Sequence, residues 1–262
     1  MNQDQIKNLL LKIEDPVKDF KVIFSGKSSK KVDGLYKPDT CEIIIHNKNF
    51  NDDNSLIYTA IHEYSHHIHS VTSAIPIKSK AHGVTFCAIF HRLIHKAEEK
   101  KIYKNLFKTD PDFIKLTEII KEKFLLKNSL IMKQFGEYLI KAEKLCLEKK
   151  MDFEYYLTNE LGFPYSAGRI IMKISTLNLP EKLGYEKMKI VASIKQPEVA
   201  KKVIESFEEG KSIYEIRQEF KIKPEPPDKL KALTQEKNRI LATIKRLEIR
   251  LQEIEERIKK LY

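Results

Sequence analysis

The strongest chemical signal in the sequence is the pentapeptide His62-Glu63-Tyr64-Ser65-His66, which has the pattern H-E-x-x-H. On a helix its two histidines lie four residues apart, so their side chains share one face and can bind the same metal ion. Glu63 then stands beside the metal, where a base for a metal-bound water is needed. Apolar residues recur from Leu56 to Val71, which indicates a buried helix. Imidazoles and a carboxylate in a buried helix need a compensating partner, and a divalent metal is one.

A third metal ligand must come from outside this motif, because a catalytic zinc site usually has three protein ligands and one open position. His82 is favoured, since the adjacent Gly83 lets it approach the metal without crowding. His69 shares the helix face of the motif histidines but would have to bend back by one turn, and His67 is expected to point elsewhere. The remaining alternatives are His91, His95 and Glu98.

Short elements on both sides of the motif are expected to position these side chains. An amphipathic helix is predicted over residues 2–14, and a second long helix should follow the metal helix over residues 81–104. The metal helix itself is expected to begin after the polar, capping residues 51–55 and to end near Ser70. A small antiparallel sheet is predicted, and its edge strand could hold a substrate chain by strand addition. Its three strands are residues 20–24, 31–36 and 41–46.

Several of these features resemble the SprT-like (Spartan-like) metallopeptidases. The resemblance rests on the H-E-x-x-H run, the step of sixteen residues from His66 to His82, and the following Gly83-Val84-Thr85-Phe86. In that family a third histidine followed by glycine, with an aromatic residue three positions further on, begins the helix after the metal helix. The stretches Gly34-Leu35-Tyr36 and Glu42-Ile43-Ile44-Ile45-His46 are similar to the preceding strands. The resemblance covers about residues 1–105.

The resemblance implies a zincin-like fold and a catalytic site. It assigns His62, His66 and His82 as Zn²⁺ ligands and Glu63 as the general base and acid of peptide hydrolysis. Better-known members of the family cut proteins that are crosslinked or bound to DNA, so DNA-associated or regulatory proteins are the expected substrates. Many members also carry a cysteine zinc ribbon, whereas this chain has only three isolated cysteines.

The middle of the chain, residues 111–222, is expected to form an all-α domain. Within it, residues 153–161 and 165–177 are predicted to be two short helices, joined by the turn Gly162-Phe163-Pro164. This arrangement is typical of a helix-turn-helix, and the stretch loosely resembles such segments of phage and plasmid proteins. The alternative is an ordinary helical hairpin.

The second of these helices carries residues that suit a DNA surface. No acidic residue occurs between Glu160 and Glu181, so this segment is electrostatically compatible with phosphates. The candidate DNA-binding residues are Ser166, Arg169 and Lys173.

The clearest periodic pattern lies beyond the proline-rich break at residues 223–227. Between Leu230 and Leu261, ten positions at alternating steps of three and four comprise nine apolar residues and Lys237. The pattern predicts a coiled coil over residues 228–262, and a homodimer is the expected assembly. An antiparallel hairpin with another helix of the same chain is the alternative.

Composition limits the class of protein. The net charge of +11 is spread evenly along the 262 residues, so it indicates only weak attraction to polyanions. No apolar run is long enough to cross a membrane and no signal-peptide pattern is present, which makes the cytoplasm the expected location. The cysteines are expected to be reduced.

The sequence therefore predicts an α+β protein with three parts: a zincin-like metallopeptidase domain at residues 1–110, a helical domain at 111–222 and a coiled coil at 228–262. Its expected activity is zinc-dependent hydrolysis of peptide bonds. The rival hypothesis is a DNA-binding regulator or scaffold of a mobile element with a structural or vestigial metal site. A fourth protein ligand, such as His69 or His95, would favour the rival, because catalysis needs an open position.

Overall fold

A computed structural model describes residues 1–73 and 82–222, together with eight positions of the C-terminal segment. The chain forms two compact units, Met1–Ile222 and Lys223–Tyr262. Most of the predicted coiled coil at 228–262 lies outside the described residues. The eight described positions there are helical and exposed: Lys237, Leu241, Thr243, Ile244, Leu247, Glu248, Leu251 and Glu255. None of the described helices is long and apolar enough to cross a bilayer.

The first unit is α+β and mostly helical. Its α-helices are α1 (Gln3–Ile13), α2 (Asp53–Thr72), α3 (Val84–Glu99), α4 (Leu106–Thr109), α5 (Pro111–Ile120), α6 (Lys127–Glu148), α7 (Phe153–Tyr155), α8 (Tyr165–Thr176), α9 (Tyr185–Ser193), α10 (Pro197–Glu208) and α11 (Ile213–Glu219). Two π-helical segments are also present: Lys121–Leu126 joins α5 to α6 without a break, and Tyr156–Glu160 extends α7. Helix α3 ends five residues earlier than predicted, just before Lys101, whose φ is +56°.

The sheet has three strands in the order β1-β3-β2, where β1 is Lys21–Phe24, β2 is Gly34–Lys37 and β3 is Glu42–Ile45. Strand β2 pairs antiparallel with β3 through a tight connection, as predicted, but β1 pairs parallel with β3. The prediction of a wholly antiparallel sheet was therefore wrong. The connection at residues 25–33 is long enough to carry the chain past the place of β3, so β2 becomes an edge strand and β3 the centre.

One hydrophobic core lies between α1, the sheet, α2 and α3. Helix α2 contributes apolar and aromatic side chains to it, including Ile61 and Tyr64, both fully buried. The Tyr64 hydroxyl donates a hydrogen bond of 2.6 Å to the carbonyl of Glu14, while the Glu14 carboxylate contacts Arg92 and Lys96, each at 2.6 Å. These contacts join the end of α1 to both α2 and α3, so the helix that carries the motif is held on two sides.

The helical half of the first unit, residues 111–222, has its own hydrophobic cores. Two of its helices approach each other very closely. At the crossing of α6 and α8, a Cβ atom on Gly136 would lie 2.6 Å from the carbonyl oxygen of Ile171 and 2.7 Å from Cβ of Ser175. On α8 itself, a Cβ on Gly168 would lie 2.9 Å from the side chain of Leu157. The absence of side chains at the two glycines therefore sets how closely these elements pack.

Helix α11 connects the two halves, because it packs against α3. His95 Nδ1 lies 3.8 Å from a carboxylate oxygen of Glu215, and the ring of His91 makes an edge contact with Tyr214 at 5.5 Å between centroids. The last helix of the first unit thus rests on the helix that follows the predicted third ligand.

Candidate metal centre

Helix α2 presents the two motif histidines on one face. The Asp52 side chain accepts a 2.8 Å hydrogen bond from the backbone N–H of Ser55, which caps the N-terminus of α2. The helix then continues for 20 residues, so the i, i+4 spacing of His62 and His66 holds throughout. The centroids of their imidazole rings lie 5.1 Å apart.

Three imidazole nitrogens converge at this face. The Nε2 atom of His82 lies 3.2 Å from Nε2 of His62 and 3.2 Å from Nε2 of His66. In a tetrahedral site with Zn–N distances of about 2.0–2.1 Å, neighbouring ligand nitrogens are separated by about 3.3 Å. The spacing and the chemistry of the donors therefore fit a divalent metal ion. Among the described residues, these three histidines form the group able to hold one.

Aromatic side chains of α3 pack against the imidazole rings of the three histidines and orient them. Phe86, the residue three positions after Gly83, is buried and stacks on His66 at 4.3 Å between centroids. Its ring also lies 5.1 Å from His62 and 4.7 Å from His82. Phe90, one turn further along α3, contacts His62 at 5.3 Å. The role of Phe90 had no specific signal in the sequence, whereas Phe86 belongs to the motif on which the family resemblance rests.

Burial keeps the two motif histidines uncharged at neutral pH. It lowers the pKa of His66 to about 4, with smaller contributions from the neighbouring histidines, and it also lowers the pKa of His62. Neutral imidazole is the form that binds a metal. The two motif histidines are therefore in the form that binds a metal at pH 7.

Glu63 lines the same groove as the three histidines, and the residue is only 6% exposed. Burial raises its pKa to about 7, although the backbone N–H of Tyr36 opposes the rise. Glu63 packs so closely on strand β2 that a Cβ atom at Gly34 would lie 2.9 Å from its Cγ and 3.2 Å from its Oε1. It would also lie 3.1 Å from Thr59. Gly34 thus makes room for this carboxylate, a role that the sequence alone did not indicate.

The neighbouring His67 has a structural role on another side of α2. It is fully buried and its Nε2 donates a 2.8 Å hydrogen bond to the carbonyl of Lys18. Its Nδ1 must then be the acceptor, so the hydroxyl of Tyr36, 3.0 Å away, donates to it. This chain of hydrogen bonds ties strand β2 to α2.

The other candidates for the third ligand have different surroundings. His69 is buried, and its Nδ1 has no hydrogen-bond partner among the described residues. His91 and His95 face α11, as described above. The carboxylate of Glu98 accepts hydrogen bonds from Asn105 and Lys108.

An open groove of about 650 Å³ runs along the candidate centre. Strand β2 forms one side, with Gly34, Leu35 and Tyr36, and the three histidines and Glu63 form the other. Because β2 is an edge strand, its outer backbone groups have no strand partner among the described residues. The groove therefore places a carboxylate, a candidate metal site and the free edge of a sheet side by side.

The candidate DNA-binding residues all lie on α8, but two of them make contacts within the protein. Arg169 forms an ion pair with Glu143 on α6, and Lys173 donates a 3.0 Å hydrogen bond to the carbonyl of Ile194 at the end of α9. Ser166 and Arg169 are exposed, while Lys173 is partly buried. Helix α8 begins directly after Pro164, and the short helix pair is present at the predicted place.

Neither a protein-family model, nor a curated protein, nor a solved structure matches this chain. The functional argument consequently depends on the residues of the centre itself. Their arrangement provides a three-nitrogen donor set, an adjacent buried carboxylate and an open groove.

Proposed function

We propose that the protein is a zinc-dependent metallopeptidase that hydrolyses peptide bonds in the groove beside α2. The observation that carries this proposal is that the buried residue Glu63 and the three converging histidines line the same groove. Three protein ligands with an open fourth position are typical of catalytic zinc, whereas structural zinc usually has four. The resemblance to SprT-like peptidases implies the same roles for the same residues, and DNA-associated proteins are the substrates that it suggests.

His62, His66 and His82 would hold the ion. Imidazole donors suit zinc, although iron, copper and nickel also accept them. A zinc ion bound there would supply Lewis-acid chemistry, activating water and polarising a carbonyl group. The contact of Phe86 with all three rings preorganises them for binding, because it limits their rotation.

Glu63 is the general base and acid of the proposed reaction. It accepts the proton of the attacking water and delivers it to the leaving amine. To accept a proton it must be ionised, and a cation held by the adjacent histidines favours the ionised form. Its position against β2 leaves the carboxylate little freedom to turn away from the groove.

The edge strand provides a way to hold the substrate. An extended peptide can pair with an exposed strand through backbone hydrogen bonds, which do not depend on its sequence. The hydrogen bonds from Tyr36 through His67 to Lys18 keep β2 beside α2 and therefore beside Glu63. Extended or unfolded segments of proteins are accordingly the proposed substrate class.

Metal removal tests the proposal directly. We expect that protein treated with a chelator will no longer cleave casein, and that added zinc will restore cleavage. The His82→Ala variant should lose both zinc and activity, because two nitrogens rarely hold catalytic zinc. The matched control is His91→Ala on α3, outside the metal group, which should retain both. Cleavage that persists in the metal-free protein would contradict the proposal, and bound zinc without cleavage would favour a structural metal site.

Close packing at Gly34 leads to a second expectation. An added methyl group would displace Glu63 or the strand, so the Gly34→Ala variant should hydrolyse casein about 10²-fold more slowly. Its zinc content should not change, since the ligands lie outside this contact. Lys37→Ala is the control, because Lys37 is an exposed residue of the same strand and does not line the groove. Wild-type activity in Gly34→Ala would show that Glu63 does not need this contact.

A further inference from the structure

Helix α5 and the π-helical segment after it carry an exposed apolar stripe. Its residues recur at steps of three and four, so they lie along one side of the helix. The exposed fractions of their side chains are 43% for Phe113, 55% for Leu116, 42% for Ile120 and 63% for Phe124. Phe107 of α4, 57% exposed, extends this surface through an edge contact with Phe113 at 5.0 Å. We refer to these five residues as the α5 stripe.

The size of the stripe indicates a binding surface. Five large side chains at about half exposure leave on the order of 400–500 Å² of apolar surface. A patch of this size is comparable with the largest apolar patch on a typical monomer, and such patches are often functional. Among the described elements, the substantial contacts of α5 are with α4 and the π-helical segment, its neighbours in sequence. Packing into a hydrophobic core formed by the described elements therefore does not account for the apolar face of α5.

The charges along the same helix identify the partner. Residues 110–119 contain three acidic side chains and one basic, a net charge of −2, whereas residues 121–127 contain one acidic and three basic, a net charge of +2. A second copy in antiparallel orientation would place each negative half against the positive half of its partner. The stripe would meet itself across a two-fold axis, as in other isologous dimers. A parallel copy would instead bring like charges together.

We propose that two copies of this chain associate through the α5 stripe, with their α5 helices antiparallel. Two stripes would bury on the order of 1,000 Å² of apolar surface in total. That is close to the lower limit for a specific interface before the polar rim is counted. This interface is distinct from the predicted coiled coil, and it does not depend on the proposed peptidase activity.

Sedimentation equilibrium of the full-length chain tests the proposal. We expect wild type to dimerise and Leu116→Glu to raise the dissociation constant by at least about 30-fold, because it buries a charge at the centre of the stripe. Leu247→Glu, at an exposed position in the seam of the predicted coiled coil, is the control: it disrupts association through that segment and should leave association through the α5 stripe intact. Far-UV circular dichroism should show both variants folded. A monomeric wild type would overturn the proposal, as would a Leu116→Glu variant that dimerises as tightly as wild type.

Charge reversal tests the antiparallel arrangement separately. One variant, Asp112→Lys with Glu118→Lys, makes the acidic half basic, and another, Lys123→Glu with Lys127→Glu, makes the basic half acidic. Each alone should dimerise more weakly than wild type, while an equal mixture of the two should form a heterodimer. Single variants that dimerise as tightly as wild type would overturn the antiparallel arrangement, because a parallel pair faces like charges both before and after either reversal. A mixture that gains no association would overturn the interface itself.

Discussion

The Glu63→Gln variant should hydrolyse protein substrates about 10²–10⁴-fold more slowly than wild type, while its zinc content remains unchanged. Glutamine has nearly the shape of glutamate, so it preserves the packing against Gly34. Its amide cannot accept the proton of the attacking water. Because the three imidazole nitrogens that form the metal group belong to other residues, the metal should stay bound. Casein cleavage and zinc content, measured on the same preparation, separate the two effects.

Two controls distinguish loss of the base from loss of the site. His62→Ala should lose zinc and activity together, because it removes one of the three donors. Glu42→Gln changes another glutamate of the same region, on β3, whose carboxylate lies 3.9 Å from Lys37 and outside the groove. It should leave both properties unchanged. Cleavage at the wild-type rate by Glu63→Gln would show that Glu63 is not the general base.

The Gly136→Ala variant should be less stable than wild type by about 1–3 kcal/mol in the free energy of unfolding. Replacing glycine by alanine normally stabilises a helix by about 1 kcal/mol. The expected change in stability is therefore opposite in sign to the change that helix propensity predicts. The reason is the crossing of α6 and α8, where the new methyl group would lie 2.6 Å from the carbonyl oxygen of Ile171. A backbone carbonyl inside a helix cannot move without moving the helix, so the two helices must separate. Urea unfolding followed by circular dichroism measures this change.

Gly168→Ala is the matched comparison for this experiment. It is also a helical glycine in tight packing, but its nearest neighbour is the end of the Leu157 side chain, which can change rotamer. Its loss of stability should therefore be smaller than that of Gly136→Ala. If Gly136→Ala were as stable as wild type, the close crossing of α6 and α8 would be wrong.

Local patterns in the sequence were sufficient to predict much of the candidate metal centre. The i, i+4 spacing of His62 and His66 depends only on helix geometry, and the apolar residues around them predicted the buried helix that the structure has. His82 lies in the same short stretch of chain, and the structure brings it to the other two. The surroundings of Glu63 were not predictable in this way, because Gly34 and Tyr36 reach it from a strand about thirty residues away, through tertiary packing.

The mixed sheet and the contacts of α8 were likewise not predictable from local sequence patterns. The sequence predicted where the strands and helices form, but strand direction depends on how the loop at residues 25–33 crosses the sheet. Arg169 and Lys173 were selected as DNA-binding candidates because no acidic residue lies near them in sequence. In the structure their partners, Glu143 and Ile194, lie 26 and 21 residues away along the chain. Periodicity carries no information about such partners.

The packing of α11 on α3 has a consequence for synthesis on the ribosome. Helix α3, which forms one side of the candidate metal centre through Phe86 and Phe90, is made early, but α11 emerges only after the other helices of the first unit have been translated. At about 5–20 residues per second, the interval between them is on the order of ten seconds. During that interval the face of α3 that carries His91 and His95 is uncovered. The segment that carries the three histidines is therefore complete well before α11 can cover this face of α3.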